Sequence, residues 1–458
     1  MEAAASRGRV YALFAIVVVA CALGSLTQTV MNPMLAQVGA EFGIEASVGQ
    51  WLTTAYMLVI GITVPVVTFL SLRFSLRGLV FLTLGIFLSG AAVGFLAPSF
   101  AVLMVGRVLQ AIAAGITLPL LQSIAMLRFP PGQNATAMGI AGIAMGFAPN
   151  IGPLIGGALV DSWGWRAFFV LLAVLLVLLF VASALVIDKE EVPNRRAVLD
   201  VRSFALSTLG FGGLLLSFSN AANVSLANPL VWGFLLVGIV CLVAFVVRQR
   251  RVEHPLIDMR IFGVESFRAS FVVQNCLFAS FMGITLIVPL YVQGLLGGTA
   301  FEAGLVFIPA TVLALFVNPL AGVLSDRLGA RPVVICAALF LLAGAASMAF
   351  VDEATPLWLL TLMQTLRAIG VSALIGPLNS WGLSQLPHDI VMDGSAFFAC
   401  VRQACASFGT AIMVLAITAG TGLAAGAGLP AAFGYQLAFG ISALFSLAVL
   451  VGGIWKVR

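Results

Sequence analysis

Fourteen stretches of this chain are apolar for about as long as a helix needs to cross a bilayer, roughly 20 residues. They lie near 10–31, 49–70, 79–97, 101–126, 137–160, 166–187, 204–221, 229–248, 267–290, 303–325, 332–350, 356–383, 395–420 and 434–455. Inside lipid every backbone N–H and C=O must be satisfied within the protein, and runs of this length do so as helices. A soluble fold is excluded by charge. Of 458 residues, 62% are hydrophobic and 9% charged, too few charges to cover a soluble surface of that size. The expected fold is an all-α polytopic membrane protein of fourteen transmembrane helices.

The loops between the runs alternate in charge. Arg7, Arg9, Arg73, Arg77, Arg128, Lys189, Arg195, Arg196, Arg202, Arg248, Arg250, Arg251, Arg260, Arg268, Arg327, Arg331, Lys456 and Arg458 all fall on one side. The other side carries Glu41, Glu45, Asp161, Glu302, Asp352 and Glu353, with Arg166 its only base. The positive-inside rule puts both termini in the cytoplasm, which requires an even number of spans. The net charge of +5 does not imply nucleic acid, because the arginines sit at the ends of apolar runs and not in one patch. Arg7 and Arg9 ahead of an apolar run, then Ala20-Cys21-Ala22, imitate a cleaved signal peptide. The run continues past that point, so an uncleaved first span is expected.

Cys21, Cys241, Cys276, Cys336, Cys400 and Cys405 all lie in apolar segments without metal-ligand spacing. They read as small buried hydrophobes. His254 and His388 are the only histidines. One loop histidine beside Asp389 and Asp393 makes no metal site, so no metal and no cofactor are expected. No phosphate-cradling Gly-Lys-Ser/Thr sequence is present, which argues against an ATP-driven pump.

The chain repeats internally. Ser71-Leu72-Arg73-Phe74-Ser75-Leu76-Arg77 and Ser325-Asp326-Arg327-Leu328-Gly329-Ala330-Arg331 occupy matching loops. Six spans, two extra spans and six more (6+2+6) is the economical division. It gives a first six-helix half at 1–187, linkers with two inserted helices at 188–266, and a second half at 267–458. Facing halves are how alternating-access carriers are built.

The fifth span reads Gly146-Phe147-Ala148-Pro149-Asn150-Ile151-Gly152-Pro153-Leu154-Ile155-Gly156-Gly157. Gly142 and Gly146, and again Gly152 and Gly156, are four apart and make smooth patches on one face. The segment resembles the antiporter motif of proton-coupled exporters in the major facilitator superfamily. Five further segments extend the resemblance over nearly the whole chain. They are Gly106-Arg107-Val108-Leu109-Gln110 with Ala113-Ala114-Gly115 and Pro119; Trp163 to Phe169; Gly322 to Pro332; Pro255 to Asp258 with Phe262 and Phe267; and Arg402-Gln403 with Gly409-Thr410-Ala411. Together they are similar to the fourteen-span drug:proton antiporters of the EmrB/QacA type. There are two departures. Thr27 stands where that family usually has an Asp in the first span, and Leu72 and Ser75 replace an Asp and a Gly in the first-half loop.

The resemblance implies a part in proton coupling for Arg107, with Asp161 the nearest acidic partner. A cation at membrane depth is costly and reads as functional; the plain alternative is an arginine satisfied by carbonyls. Asp326 with Arg73, Arg77, Arg327 and Arg331 reads as a cytoplasmic gate, the carboxylate near helix N-termini and the bases near C-termini. Gly146, Pro149, Gly152, Pro153, Gly156 and Gly157 serve packing and bending. Gln28, Asn32, Gln110, Asn150, Gln274, Asn275, Asn318 and Asn379 are polar residues on spans. For each, cavity lining and helix–helix hydrogen bonding stand equal. Arg367 is expected near the outer third of its span, and Arg402 close enough to the cytoplasmic face to snorkel.

The expected function is secondary-active export, not enzymatic, of small amphipathic drugs or toxic metabolites. It would be driven by proton entry, in a bacterial cytoplasmic membrane, by a monomer in the bilayer. The alternative is a carrier of the same fold that uses no protons, or one that moves anionic or lipid-like cargo; a polytopic enzyme would need larger loops.

Overall fold

The computed structural model describes residues 2–130, 132–187, 199–223, 228–252 and 255–457. Among the described residues, fourteen helices are long and apolar enough to cross a membrane, which matches the fourteen apolar runs. They are α1 (Gly8–Met34), α2 (Trp51–Arg73), α3 (Leu76–Phe95), α4 (Phe100–Leu127), α5 (Asn134–Val160), α6 (Arg166–Val186), α7 (Val201–Ala221), α8 (Pro229–Gln249), α9 (Glu265–Gly294), α10 (Phe301–Leu328), α11 (Ala330–Met348), α12 (Leu357–Ser384), α13 (His388–Ala424) and α14 (Phe433–Lys456). No strand occurs among the described residues.

Several helices outrun their apolar stretches. α13 was expected over 395–420 and starts at His388, taking in Asp393. Hydropathy drops at that acid, but helical hydrogen bonding continues, because Asp393 is buried and accepts from the Asp258 backbone N–H at 3.1 Å.

The first six helices pack chiefly among themselves, α3 with α4 and α6, α1 with α4 and α5, and α2 with α4. The last six do likewise, α11 with α12 and α14, α9 with α13 and α14, and α10 with α12. α7 and α8 form a close pair, because Gly213 and Gly238 bring the two backbones together: a Cβ on Gly213 would meet Gly238 Cα at 2.9 Å. α7 touches both α2 and α13, while Leu230, Trp232, Leu236 and Val240 leave α8 apolar and exposed toward lipid.

Polar clamps hold the ends. At the end opposite the termini, Trp165 donates from its ring N–H to Glu41 at 2.7 Å and from its backbone to Gln37 at 2.9 Å. Arg166 pairs with Glu41 and donates to Ala97 O at 3.0 Å. These contacts tie the start of α6 to the α1–α2 and α3–α4 connections. At the other end Arg248 makes a two-pronged contact with Asp200, 2.9 and 3.0 Å, joining the end of α8 to the start of α7.

Candidate functional site

The two prolines of α5 each remove one backbone donor. Pro153 cannot bond the Pro149 carbonyl one turn back; Thr29 of α1 donates its hydroxyl to that oxygen instead, at 2.7 Å. Just before Pro149, residues Ile143–Phe147 widen into a π turn, with Ala148 N–H reaching Ile143 O. Such turns relieve a break in the ladder. The glycines on the same face let α1 lie against α5. A Cβ on Gly152 would overlap Thr29 Oγ1, and one on Gly156 would overlap the Val30 carbonyl. Gly157 faces open space, so its small size is not demanded by packing.

Contacts between the first six and last six helices concentrate at the end that carries the termini. Gly139 of α5 lies against the Asn318 backbone of α10, and Gly322 against Ala135. A Cβ on Gly376 of α12 would meet Gly139 Cα at 2.8 Å. Gln122 of α4 donates to Asn379 of α12 at 3.3 Å. Ser395 of α13 donates to Pro119 O at 3.2 Å. Beyond the π turn, the outer part of α5 (Ala148–Trp163) packs mainly on α1 and α6.

Asp326 closes this end chemically. Its carboxylate accepts from the backbone N–H groups of Ala135 (3.0 Å) and Thr136 (2.7 Å) and from the Thr136 hydroxyl. Those N–H groups belong to the first turn of α5, whose own N-cap, Gln133, makes no side-chain capping bond. A helix N-terminus favours an anion, and here α10 supplies it. Arg77 and Arg331 play matching parts at C-termini. Arg77 donates to Ala184 O of α6 at 3.4 Å, and Arg331 to Ile454 O of α14 at 3.1 Å. Leu72, which stands opposite Asp326 in the repeat, is exposed, so this carboxylate clamp exists on one side. Arg73 and Arg327 are exposed at the same end.

Above that closure lies a small cavity of about 20 Å³, room for about one water. Gly146 and Asn150 of α5, Phe281 of α9, Phe307, Ala310 and Ala314 of α10, and Gln364 of α12 are among its walls. Of the eight polar residues singled out in the sequence, Asn150 lines it. Its amide donates to Gly146 O at 3.0 Å. Asn318 and Asn379 lie in the closure below. Gln274 is buried with its Nε2 unpartnered. Asn275 bonds Phe271 O at 2.7 Å, and Asn32 accepts from Thr53 at 3.0 Å. Gln28 is half-buried on α1.

Gln110 belongs to a different group. Arg107, fully buried, donates to Gln110 Oε1 at 3.0 Å and to Leu52 O at 3.2 Å, with its guanidinium 4.3 Å from the Tyr56 ring centroid. These partners are an amide, a carbonyl and a π face; none is a carboxylate. Thr27, at the family's acidic position, is also buried and spends its hydroxyl on Leu23 O at 2.6 Å. Asp161 lies within the last turns of its helix, and its side chain is outside the described residues. Among the described residues no cluster of His, Cys, Asp and Glu could hold a metal ion.

Two further arginines lie well inside their helices. Arg402 is eleven residues into the helix that starts at Val391, a rise of about 16 Å. Its guanidinium lies 4.9 Å from the Phe278 ring centroid. Arg367 is ten residues into α12, about 15 Å along it. It is fully buried, bonds Gln364 Oε1 at 3.0 Å through Nε, and leaves Nη1 and Nη2 without partners. Gln364, missed in the sequence reading, had a legible signal. Gln364-Thr365-Leu366-Arg367-Ala368-Ile369 repeats Arg107-Val108-Leu109-Gln110-Ala111-Ile112 with the Arg and Gln exchanged.

The profile of the Major Facilitator Superfamily matches residues 17–410. An uncharacterized MFS-type transporter of Bacillus subtilis, YcnB, is 34% identical over 85% of this chain and 82% of its own length. The lincomycin resistance protein LmrB of Listeria monocytogenes is 31% identical over 87% and 84%. A multidrug resistance protein B homolog of Mycobacterium tuberculosis is 27% identical over 88% and 75%. Among solved structures, the human organic anion transporter MFSD10 superposes with a TM-score of 0.69, covering 97% of this chain and 99% of that one at 15% identity, a likeness of fold. On helix count, packing and this match, the chain belongs to the major facilitator superfamily of membrane transporters.

Proposed function

We propose that this transporter is a proton-driven exporter of small amphipathic compounds, a fourteen-span drug:proton antiporter of the EmrB/QacA type. The observation that carries the reading is the asymmetric closure. Asp326 on the α5 N-terminus and Gln122 on Asn379 join the two six-helix groups at the end bearing the termini. The other end of α5 leans on its own group. That is one of the two states an alternating-access carrier needs. With the arginine-rich end in the cytoplasm of a bacterium, the state is closed inward and faces out. The two groups are the six-helix halves of a 6+2+6 arrangement. α7 and α8 are a peripheral insertion, and the working unit is a monomer. Arg107 takes part in coupling, and Asn150 contacts cargo. The names of the lincomycin and multidrug resistance relatives support drugs as cargo.

A second reading has a specific observation behind it. Arg107 finds Leu52 O, the Gln110 amide and the Tyr56 ring with no acid among them, and Thr27 replaces an acid, as expected of a carrier that moves cargo without protons. Purified protein in liposomes with a trapped pH-sensitive dye separates the two. Cargo-induced proton flux that Arg107→Ala abolishes supports the antiporter. Cargo movement without proton flux replaces it with the facilitator.

A further inference from the structure

We infer that Asp393 is a proton-binding site built into the cytoplasmic closure: the end bearing the termini shuts with one proton on this carboxyl and releases it to the cytoplasm on opening. The inference rests on the exporter reading, in which that end opens and closes, and adds to it a control by cytoplasmic pH.

Asp393 keeps 5% of its surface exposed and is the one acid among the buried polar residues described. It sits where three elements meet. From the α8–α9 connection, the Asp258 backbone N–H donates to its Oδ1 at 3.1 Å. From α2 of the first half, the Thr68 hydroxyl faces it, buried and without a hydrogen-bond partner. Two residues further along α13, Ser395 donates to Pro119 O of α4 at 3.2 Å. Cys400 then lies 3.7 Å from Gly61 O of α2. The first turns of α13 thus belong to the contact between the six-helix groups, and α2 helps to keep water from Asp393. The connection is fixed at its other end. Gln249 Oε1 accepts from Leu256 N–H at 2.6 Å and Ile257 N–H at 3.2 Å, and Gln249 Nε2 donates to Ser203 at 2.6 Å. Pro255-Leu256-Ile257-Asp258 is therefore a strap that runs from the α7–α8 pair to Asp393.

The charges around this joint supply no cation to the acid. Arg260 is spent elsewhere, its Nε on Asp258 at 2.7 Å and its Nη2 on Asp389 at 2.9 Å. His388 and Asp389 at the start of α13, Arg73 on α2 and Arg268 on α9 are exposed. Among the described residues Asp393 enters no ion pair, and the charge that bears on it is Asp258, of the same sign. A carboxylate taken out of water beside a like charge is costly, and a proton removes that cost. The neutral carboxyl still accepts the Asp258 N–H at Oδ1, and its O–H offers the unpartnered Thr68 hydroxyl a donor across the joint. Asp393 lies two residues before the apolar run at 395–420, so the water that reaches it when α2 and α13 part is cytoplasmic. The carboxyl is then hydrated, and the proton leaves. The closed state holds one proton more than the open one. Its share therefore falls as pH rises above the range where a hydrated aspartate ionises, about 3.9.

The test uses purified full-length protein in lipid nanodiscs with spin labels at Arg128→Cys and Arg327→Cys, both exposed at this end. The background lacks the native cysteines and carries His254→Gln and His388→Gln, because histidines titrate in the same range. Pulsed electron resonance follows the open-to-closed ratio from pH 5 to pH 8. The ratio rises at least about tenfold over that range, and in Asp393→Asn, which stays neutral, it changes less than about twofold. Infrared spectra at pH 6 read the proton directly: the C=O stretch of a neutral carboxylic acid is present without the Asp393 substitution and missing from Asp393→Asn. Asp258→Asn, which removes the like charge and keeps the backbone donor, moves the rise to lower pH. Thermal unfolding checks each variant; should Asp393→Asn fail to fold, Asp258→Asn decides. The proposal is overturned by a ratio that ignores pH, by an equal pH response or equal infrared band in Asp393→Asn, or by an unmoved rise in Asp258→Asn. Cargo movement in liposomes is measured in parallel. Movement with labels that ignore pH sinks the proton site and leaves the exporter; a pH response lost in Asp393→Asn, with no cargo movement of any kind, does the reverse.

Discussion

Replacing Asp326 by Ala should open the end of the bundle that carries the termini. The carboxylate satisfies two backbone N–H groups in the first turn of α5 and the Thr136 hydroxyl, at 2.7 to 3.0 Å for the backbone pair. Loss of an N-cap acceptor costs about 1 kcal/mol, up to ~2. The interaction of the anion with the helix dipole adds roughly 0.3–1 kcal/mol. Because Asp326 is half-buried, water can replace part of what is lost, so about 2–3 kcal/mol is an upper range for the change. These bonds join α10 to α5, so they exist only while the two helices meet. Their loss then weights the equilibrium between closed and open rather than folding as a whole. At 1.4 kcal/mol per factor of ten, the closed population falls roughly 30- to 150-fold relative to the open one. Spin labels at Arg128→Cys and Arg327→Cys, both exposed at this end, in a background without the native cysteines, report the distance distribution by pulsed electron resonance. Asp326→Ala should move the main population to longer distances. Asp326→Asn, which keeps one acceptor oxygen but no charge, should move it part of the way. An unchanged distribution in Asp326→Ala would falsify the idea that this carboxylate holds the end shut.

Other consequences are smaller in scope. Gly152→Ala should lower thermal stability in detergent by about 1–3 kcal/mol, because its methyl displaces the Thr29 hydroxyl that serves Pro149 O; Gly157→Ala, which faces open space, should be neutral, and equal effects would refute the packing argument. Arg107→Lys keeps the charge but loses the planar fork that holds Leu52 O and Gln110 together, so substrate-induced proton flux should fall at least about tenfold; unchanged flux would remove Arg107 from the coupling. Asp200, hydrogen-bonded by Arg248 and Ser203, is held down to about 2 from an ordinary 3.8. A depressed carboxylate stabilises above its unfolded pKa and loses that stabilisation as pH falls toward the folded one. The stability gap between wild type and Asp200→Asn should therefore be full above about pH 4 and shrink toward pH 2. A gap that stays constant over that range would show that the Arg248 pair contributes nothing.

The sequence determined the number of helices and their approximate ends, because the bilayer thickness sets how long an apolar run must be and few charges interrupt the runs. It also placed the anion of Asp326 and the bases of Arg77 and Arg331 at helix ends, where the macrodipole gives each sign a preferred terminus. Part of the interior was legible too: the exchanged Arg–Gln pair on α4 and α12 is written in the chain, and a search for repeats within spans would have found Gln364. What the tertiary structure decided is which helix supplies each partner. Tyr56 and Leu52 reach Arg107 from α2, Thr29 reaches Pro149 O from α1, and Asp326 reaches the α5 N-terminus from α10. Each of these pairs is far apart in sequence and is set by crossing points where glycines let backbones touch. Hydropathy carries no record of those crossings, since one apolar face reads like another. Arg402 has no legible partner in the chain, and the packed helices bring its guanidinium to 4.9 Å from the Phe278 ring centroid of α9. Whether a buried cation is covered by a ring depends on the residue across the interface, Tyr56 for Arg107, and only the packed bundle brings that residue into contact.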